Sequence, residues 1–246
     1  MMERDVELTL ADGVVDAVLL APEGEGPWPG ILHYPDVMGV RPAQRDMARR
    51  LAGEGYLVLL PNLFFRTRRS PVFEFEPNFS EPRTLKRMGE LRGPLTPEVM
   101  EADGSAYIDF LSEAGARPGP LGVVGYCFSG AMALRTAAAR PERIAAAASF
   151  HGGHLVTEQP SSPHRVLPRV RARLYFAHAS GDRSMPRSAI RELESALAGW
   201  GGAYESELYP GVSHGWTVPG SPAYERDAAE RAYAKLVALF AATLRS

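Results

Sequence analysis

The chain has 246 residues, of which 45% are hydrophobic and 23% charged, a composition typical of a globular protein. Its formal net charge of -2 at pH 7, and the absence of any apolar run near the roughly 20 residues that span a bilayer, give no reason to expect nucleic acid or a membrane as a partner. Its one cysteine, Cys127, excludes an internal disulfide, and the N-terminus lacks the apolar region of a signal peptide, so we expect a cytoplasmic protein.

The first part of the chain alternates apolar runs with an amphipathic segment. Apolar runs bounded by Gly and Pro predict strands, and apolar residues three and four positions apart predict a helix. In chain order we predict a hairpin that turns at Asp12-Gly13, a strand over 30–35, a helix over 41–55 and a strand over 56–61. The last of these is apolar at nearly every position, as a strand buried on both faces must be.

The segment 62–94 interrupts this pattern. It is rich in Pro, Arg and aromatic residues, and its apolar residues follow no clear period. A long irregular connection in a compact domain is usually a lid or a binding loop, and the several Phe residues argue against disorder. We interpret 62–94 as an irregular, cap-like segment that lines a pocket.

Beyond this segment, strands and helices alternate again. We predict a helix over 96–114 capped by Thr96, a strand over 120–126, a helix over 128–140, strands over 143–152 and 172–180, a helix over 186–202, a strand over 204–210, and a helix over 221–244 capped by Ser221. Gly104 weakens the first of these helices by roughly 1 kcal/mol relative to Ala. No linker or repeat divides the chain, so we predict a single α/β domain over 1–246, with a mostly parallel sheet and helices on both faces.

Four side chains that can do chemistry follow predicted strands. They are Asp36, Cys127, Asp182 and His214. In open α/β sheets, functional groups gather at the carboxyl ends of the strands. The last three come in the order nucleophile, acid, base, which is the chain order of α/β-hydrolases. The sequence therefore predicts an α/β-hydrolase fold with its active site at this edge of the sheet.

The residues around Cys127 are typical of a nucleophile on a tight strand-to-helix turn. The backbone is strained there, so the neighbouring residues must be small. Gly125 stands two positions before the cysteine and Gly130 three after it, while Ser129 occupies a position that usually holds Gly. The N-terminus of the following helix favours a thiolate and an oxyanion. The alternative is a small buried core residue, which is a common role of a lone cysteine.

These residue types predict nucleophilic catalysis. His214 would accept the thiol proton of Cys127, and Asp182 would bond the other ring nitrogen and fix its tautomer. The thiolate would attack an ester or lactone carbonyl and form a thioester. The backbone N–H groups of Phe128 and Val37 would hold the oxyanion.

Other interpretations of the polar residues stay open. Asp182 could instead cap the helix that begins near Pro186, and Asp36 could be a turn residue after Pro35. His151 lies at the end of a predicted strand, where it could line the pocket. No HExxH motif or cysteine cluster accompanies the histidines, so we predict neither a metal nor a cofactor.

The segments GYCFSG, GDRSMP and YPGVSHGW, in this order, resemble those of the dienelactone hydrolase family of α/β-hydrolases. The sequence over 34–64 strengthens the resemblance, which covers nearly the whole chain and is weakest over 65–94. The resemblance implies hydrolysis of a small ester or lactone, as by a carboxymethylenebutenolidase, through a triad of Cys127, Asp182 and His214. It also implies a carboxylate near the thiol, for which Asp36 is the candidate.

Two departures from the family pattern leave the substrate open. Asp36 stands where dienelactone hydrolases proper carry the longer Glu, and no arginine follows His214 to bind a substrate carboxylate, so Arg83 is a candidate cation. The alternatives are a carboxylesterase or thioesterase without dienelactone activity, and a non-catalytic ligand-binding or redox-responsive protein of the same fold. We expect a small-molecule ester or lactone as partner, and the sequence does not distinguish a monomer from a homodimer.

Overall fold

The computed structural model describes residues 1–245. The strands are β1 (Met2–Leu10), β2 (Gly13–Ala21), β3 (Gly30–Tyr34), β4 (Leu57–Pro61), β5 (Leu121–Tyr126), β6 (Ile144–Phe150), β7 (Arg173–Ala179) and β8 (Tyr204–Tyr209). The α-helices are α1 (Pro42–Gly53), α2 (Pro82–Arg92), α3 (Pro97–Glu113), α4 (Ser129–Ala139), α5 (Arg187–Trp200) and α6 (Arg226–Leu244), and a short 3-10 helix (Pro163–Arg169) precedes β7. Within residues 1–245, no helix combines the length and the apolarity needed to cross a bilayer.

The strands form one sheet in the order β1-β2-β4-β3-β5-β6-β7-β8. The pairs β1–β2 and β2–β4 are antiparallel, whereas every pair from β4 to β8 is parallel. Strands β3, β4 and β5 are buried at every position, as their apolar sequences predict. The mostly parallel sheet of the predicted α/β-hydrolase fold is therefore confirmed.

Helices cover both faces of the sheet. Successive residues of a strand point to opposite faces, so each strand contributes to two hydrophobic layers. In β4, Val58 belongs to the layer that holds Leu51 of α1 and Leu236 of α6. The next residue, Leu59, belongs to the layer that holds Tyr107 of α3, together with side chains of α4 and α5. The carboxyl ends of the strands between these layers carry the candidate site.

Two close approaches fix helices against their neighbours. A Cβ at Gly104 would lie 2.3 Å from Thr136 Oγ1, so α3 packs against α4 at a distance that only glycine allows. On the other face, Phe240 and Leu244 of α6 lie directly on Gly122, where a Cβ would be 2.7 Å from the Phe240 ring. Strand β5 is thus covered by the last helix of the chain.

The structure corrects the prediction that 62–94 is irregular throughout. Residues 82–92 form α2, which begins at Pro82. Thr84 and Leu91 are its buried residues and Met88 is partly buried, so the helix packs on the core through one narrow face. That face includes a polar threonine, and the apolar Leu85 is exposed, which is why the apolar pattern did not predict the helix.

The start of the last helix is also corrected. It begins at Arg226 rather than at 221. Ser221 Oγ accepts a hydrogen bond from the Ala223 N–H at 3.2 Å, and the Ser221 carbonyl accepts one from the Tyr224 N–H at 3.0 Å. These bonds close a turn before the helix, so Ser221 caps that turn and not the helix.

Candidate active site

Cys127 lies on a sharp turn between β5 and α4. Its φ angle is 61°, in the left-handed region that residues other than glycine rarely adopt. A Cβ at Gly125 would lie 2.1 Å from the Ser129 carbonyl oxygen, so the turn requires glycine at that position. The half-buried thiol stands at the N-terminus of α4, where free N–H groups and the helix dipole favour a negative charge.

Ser129 closes this turn with its side chain. Its buried Oγ accepts a hydrogen bond from the Tyr126 N–H at 2.9 Å. The same oxygen lies 2.8 Å from the Tyr126 carbonyl oxygen and 3.2 Å from the Tyr34 carbonyl oxygen, either of which can accept its proton. Ser129, at the position that usually holds glycine, therefore stabilises the turn through its side chain.

The structure brings together two of the predicted site residues through a short hydrogen bond. His214 Nδ1 lies 2.6 Å from Asp182 Oδ2. The other carboxylate oxygen, Oδ1, accepts hydrogen bonds from the Ser184 N–H at 2.8 Å and the Ser184 hydroxyl at 2.7 Å. Ser184 was not predicted as a site residue, although its place two residues after Asp182 in GDRSMP could have indicated it. These bonds fix the carboxylate and orient the imidazole.

The charges of this pair follow from their contacts. Burial opposes the charge on His214, but the hydrogen bond with Asp182 and the nearby Cys127 outweigh burial and raise the pKa of His214 to about 10. Burial likewise opposes ionisation of Asp182, but hydrogen bonds from His214 and Ser184 lower its pKa below the usual value. The imidazolium and carboxylate forms are therefore both favoured at neutral pH.

His151 lies directly behind the cysteine. It is 1% exposed, and its Nδ1 accepts a hydrogen bond from the Cys127 N–H at 3.2 Å. Its Nε2 lies 2.8 Å from Thr217 Oγ1, a second polar residue that was not predicted for the site. Burial, and then the neighbouring His214, lower the pKa of His151 well below 6.5. This histidine is therefore neutral.

Asp36 has other partners than the thiol. Its carboxylate takes two hydrogen bonds from Arg41, at 2.7 and 2.8 Å, one from Gln44 Nε2 at 3.2 Å and one from the Met38 N–H at 2.9 Å. These bonds satisfy both oxygens and hold the loop that follows β3. The structure joins Asp36 to this loop, and its expected effect on Cys127 stays a prediction.

The remaining candidates lie in three places. Arg83, in α2, has its guanidinium 3.7 Å from the centre of the Phe75 ring. Val37 is buried in the loop after β3, and Phe128 follows Cys127 directly. Within residues 1–245, neither the Val37 N–H nor the Phe128 N–H donates to a backbone or side-chain acceptor. Both groups are free to bind a negatively charged oxygen.

The arrangement suits acyl chemistry at a thiol. It combines a thiol on a strained turn, an imidazole that can carry a proton, and a carboxylate that orients the imidazole. In the part of the chain that the structure describes, no group of three or more His, Cys, Asp or Glu side chains is placed to hold a metal ion.

Comparison with known proteins relates this arrangement to one family. Residues 15–244 match the sequence model of the dienelactone hydrolase family. A protein of Escherichia coli (strain K12), provisionally named a carboxymethylenebutenolidase, is 27% identical over 226 residues, which cover 89% of this chain and 78% of that protein. A carboxymethylenebutenolidase of Rhodococcus opacus is 28% identical over 192 residues, covering 76% of this chain and 71% of that protein. A crystal structure of a provisionally named dienelactone hydrolase from Klebsiella pneumoniae subsp. pneumoniae MGH 78578 has the same fold, with a TM-score of 0.87 at 22% identity and 98% of each chain covered.

Proposed function

The chain belongs to the dienelactone hydrolase family, and on that premise we propose that it cleaves a small ester or lactone with Cys127 as the nucleophile. The observation that carries the proposal is the left-handed φ of 61° at Cys127, at the N-terminus of α4. A non-glycine residue keeps such a backbone only where the surroundings impose it, and such residues cluster at active sites. The proposed base is His214, oriented by Asp182 through the 2.6 Å hydrogen bond.

The reaction proceeds through a thioester. His214 holds the thiol proton, and the Cys127 thiolate attacks the carbonyl carbon, so that a C–S bond forms and the carbonyl electrons move to the oxygen. When this oxyanion collapses, the C–O bond of the ester breaks and the alkoxide takes the proton from His214 Nε2. His214 then removes a proton from water, the hydroxide attacks the thioester, and the C–S bond breaks to release the acid and restore the thiolate.

The free N–H groups of Phe128 and Val37 are the proposed oxyanion donors. They follow the ends of two adjacent strands, β5 and β3, which pair in parallel. A donor of this kind that is lost typically reduces turnover by about 100-fold to 1000-fold. The Cys127 N–H is not available for this role, because it already donates to the Phe150 carbonyl at 3.1 Å and to His151.

The first experiment replaces the nucleophile. We expect Cys127→Ala to lower kcat for p-nitrophenyl acetate and for a dienelactone by at least about 10⁴-fold, because the acyl-enzyme can no longer form. The matched control is Ser213→Ala, which changes an exposed residue beside His214 and removes a hydroxyl of similar size. Equal turnover by wild type and Cys127→Ala contradicts the proposal.

A second candidate is a carboxylesterase or thioesterase without preference for dienelactones. It is favoured by the absence of arginine from residues 215–220, directly after His214. Arg41 is paired with Asp36, and the Arg83 guanidinium stacks on the Phe75 ring. Measured kcat/KM values for a lactone with and without a carboxylate separate the two functions. The second candidate predicts ratios within about tenfold, and a clear preference for the anionic lactone contradicts it.

A further inference from the structure

The proposed reaction makes no use of His151, yet this side chain lies next to the reacting groups. Its imidazole packs edge to face against that of His214, with ring centroids 5.1 Å apart. Two imidazoles this close compete for one proton, because protonating both places two positive charges side by side. The contacts of His151 decide which ring is charged.

The hydrogen bonds of His151 fix it as the neutral ring. Its Nδ1 accepts from the Cys127 N–H, so this nitrogen carries no proton. Nε2 therefore carries the proton and donates it to Thr217 Oγ1 at 2.8 Å. Protonation of His151 at Nδ1 would break the hydrogen bond from the Cys127 N–H and bury a positive charge. A proton on His214 is instead stabilised by the neighbouring Asp182 carboxylate.

We propose that His151 is a positioning residue for Cys127. Its neutral ring supports the left-handed backbone of the nucleophile and leaves the positive charge of the histidine pair on His214. Thr217 fixes the tautomer that this role requires. The inference rests on the proposed function, in which Cys127 is the nucleophile.

The backbone angles support this assignment. Both Cys127 and His151 have positive φ angles, 61° and 39°. Two residues with unfavourable backbone conformations are therefore joined by a hydrogen bond. Without the His151 acceptor, the Cys127 N–H keeps only the Phe150 carbonyl, and the turn can relax. A displacement of the reacting sulfur by about 1 Å is enough to reduce turnover by about 100-fold.

The first test changes Thr217, which leaves the strained backbone untouched. Thr217→Val removes the hydroxyl at nearly constant volume, whereas Thr217→Ser keeps it. Cys127 is the only cysteine, so the rate of alkylation by iodoacetamide at pH 7 reports on its thiolate alone. We expect Thr217→Val to lower this rate and kcat for p-nitrophenyl acetate by about tenfold with KM unchanged, and Thr217→Ser to restore at least half of both.

The second test changes the ring itself. His151→Leu removes both hydrogen bonds, and we expect it to lower kcat by about 100-fold. His151→Asn offers an amide oxygen in place of Nδ1 and tolerates a positive φ, so we expect it to recover part of that loss. Thermal unfolding checks that each variant is folded. If His151→Leu does not fold, the comparison of Thr217→Val with Thr217→Ser still tests the role of His151.

The outcomes separate this inference from the proposed function. Equal alkylation rates and equal kcat in Thr217→Val and Thr217→Ser overturn the role of His151. Full activity of Cys127→Ala overturns the proposed function instead. Alkylation needs no turnover, so it measures the effect of His151 on the thiol in either case.

Discussion

The histidines of this chain differ in charge because their partners differ. His214 has a carboxylate beside it, and this partner outweighs burial and contributes to raising the pKa of His214 to about 10. His33 and His178 are buried within strands, and burial lowers the pKa of each to about 4. His33 has Gln44 as a hydrogen-bond partner at 2.8 Å, whereas neither ring nitrogen of His178 has a partner within residues 1–245.

The unpartnered His178 should destabilise the protein in acid. In the unfolded chain His178 has a pKa of about 6.5, whereas in the folded protein its pKa is about 4. Between these two values the unfolded chain binds a proton at His178 and the folded protein does not, so the free energy of unfolding decreases as the pH falls from 6.5 to 4. We expect His178→Leu to reduce the loss of unfolding free energy between pH 7.5 and 5.0 by about 2 kcal/mol. Urea unfolding of both proteins at both pH values measures this change in unfolding free energy.

The comparison at pH 7.5 is the control for His178→Leu. Protonation of His178 contributes little at this pH, so the difference in unfolding free energy between the two proteins reports packing alone. An identical acid loss in both proteins contradicts the prediction. The sequence predicts a strand over 172–180, which contains His178. It could not reveal that both nitrogens lack a partner, since that depends on side chains brought in from other strands and helices.

At the scale of elements, the close packing of α3 on α4 reverses an expectation from helix propensity. By propensity alone, Gly104→Ala should stabilise α3 by about 1 kcal/mol. The added Cβ would lie 2.3 Å from Thr136 Oγ1 and 2.9 Å from the Tyr34 hydroxyl, which are themselves hydrogen-bonded at 2.8 Å. We therefore expect Gly104→Ala to destabilise the protein by about 1–2 kcal/mol in urea unfolding.

Gly199→Ala is the matched control for this prediction. Gly199 lies in α5, and a Cβ there meets no atom within 4 Å. We expect this change to be neutral or to stabilise the protein by up to about 1 kcal/mol. Stabilisation of equal size by both substitutions shows that α3 can move away from α4.

Elements were predictable from the sequence where their apolar residues follow a clear pattern. Strands such as β4 and β5 have both faces covered, so their apolar runs identify them. Helix α2 has few buried residues and lacks that signal, and the turn at Ser221 resembles a helix cap in its residue types. The triad candidates were predictable because they follow strands, whereas Ser184 and Thr217 act through side-chain contacts that only the folded chain shows.

For the whole molecule, Arg66 connects parts of the chain that are far apart in sequence. Its guanidinium makes two hydrogen bonds to the Asp103 carboxylate in α3, at 2.7 and 2.8 Å. It also bonds Asp12 in the turn between β1 and β2. Asp103 is 2% exposed, so its carboxylate has little access to water. This link was not predictable from the sequence, because Arg66 lies in the arginine-rich segment RTRRS, whose composition is typical of a solvated loop.

We expect Arg66→Met to lower the unfolding free energy by about 3–5 kcal/mol, because it leaves the Asp103 carboxylate buried without a counter-ion. The double variant Arg66→Met, Asp103→Leu should recover at least half of this loss. Urea unfolding of the single and double variants gives the coupling between the two residues.

Arg69→Met is the control for the Arg66 prediction. Arg69 pairs with Glu7 on the surface, and such a pair contributes about 1 kcal/mol or less. A loss in Arg66→Met no larger than that in Arg69→Met rules out the buried pair as a major contributor.

The position of α6 has a consequence for synthesis. Phe240 and Leu244, near the end of the chain, cover Gly122 in the strand that carries the cysteine. A growing chain on the ribosome therefore has this strand bare on one face until residues 226–244 have emerged. The strands before it can pair earlier, but Cys127, which follows this strand, reaches its final surroundings only once α6 has packed. A premature stop within α6 would expose apolar surface and favour aggregation or degradation over a weakened enzyme.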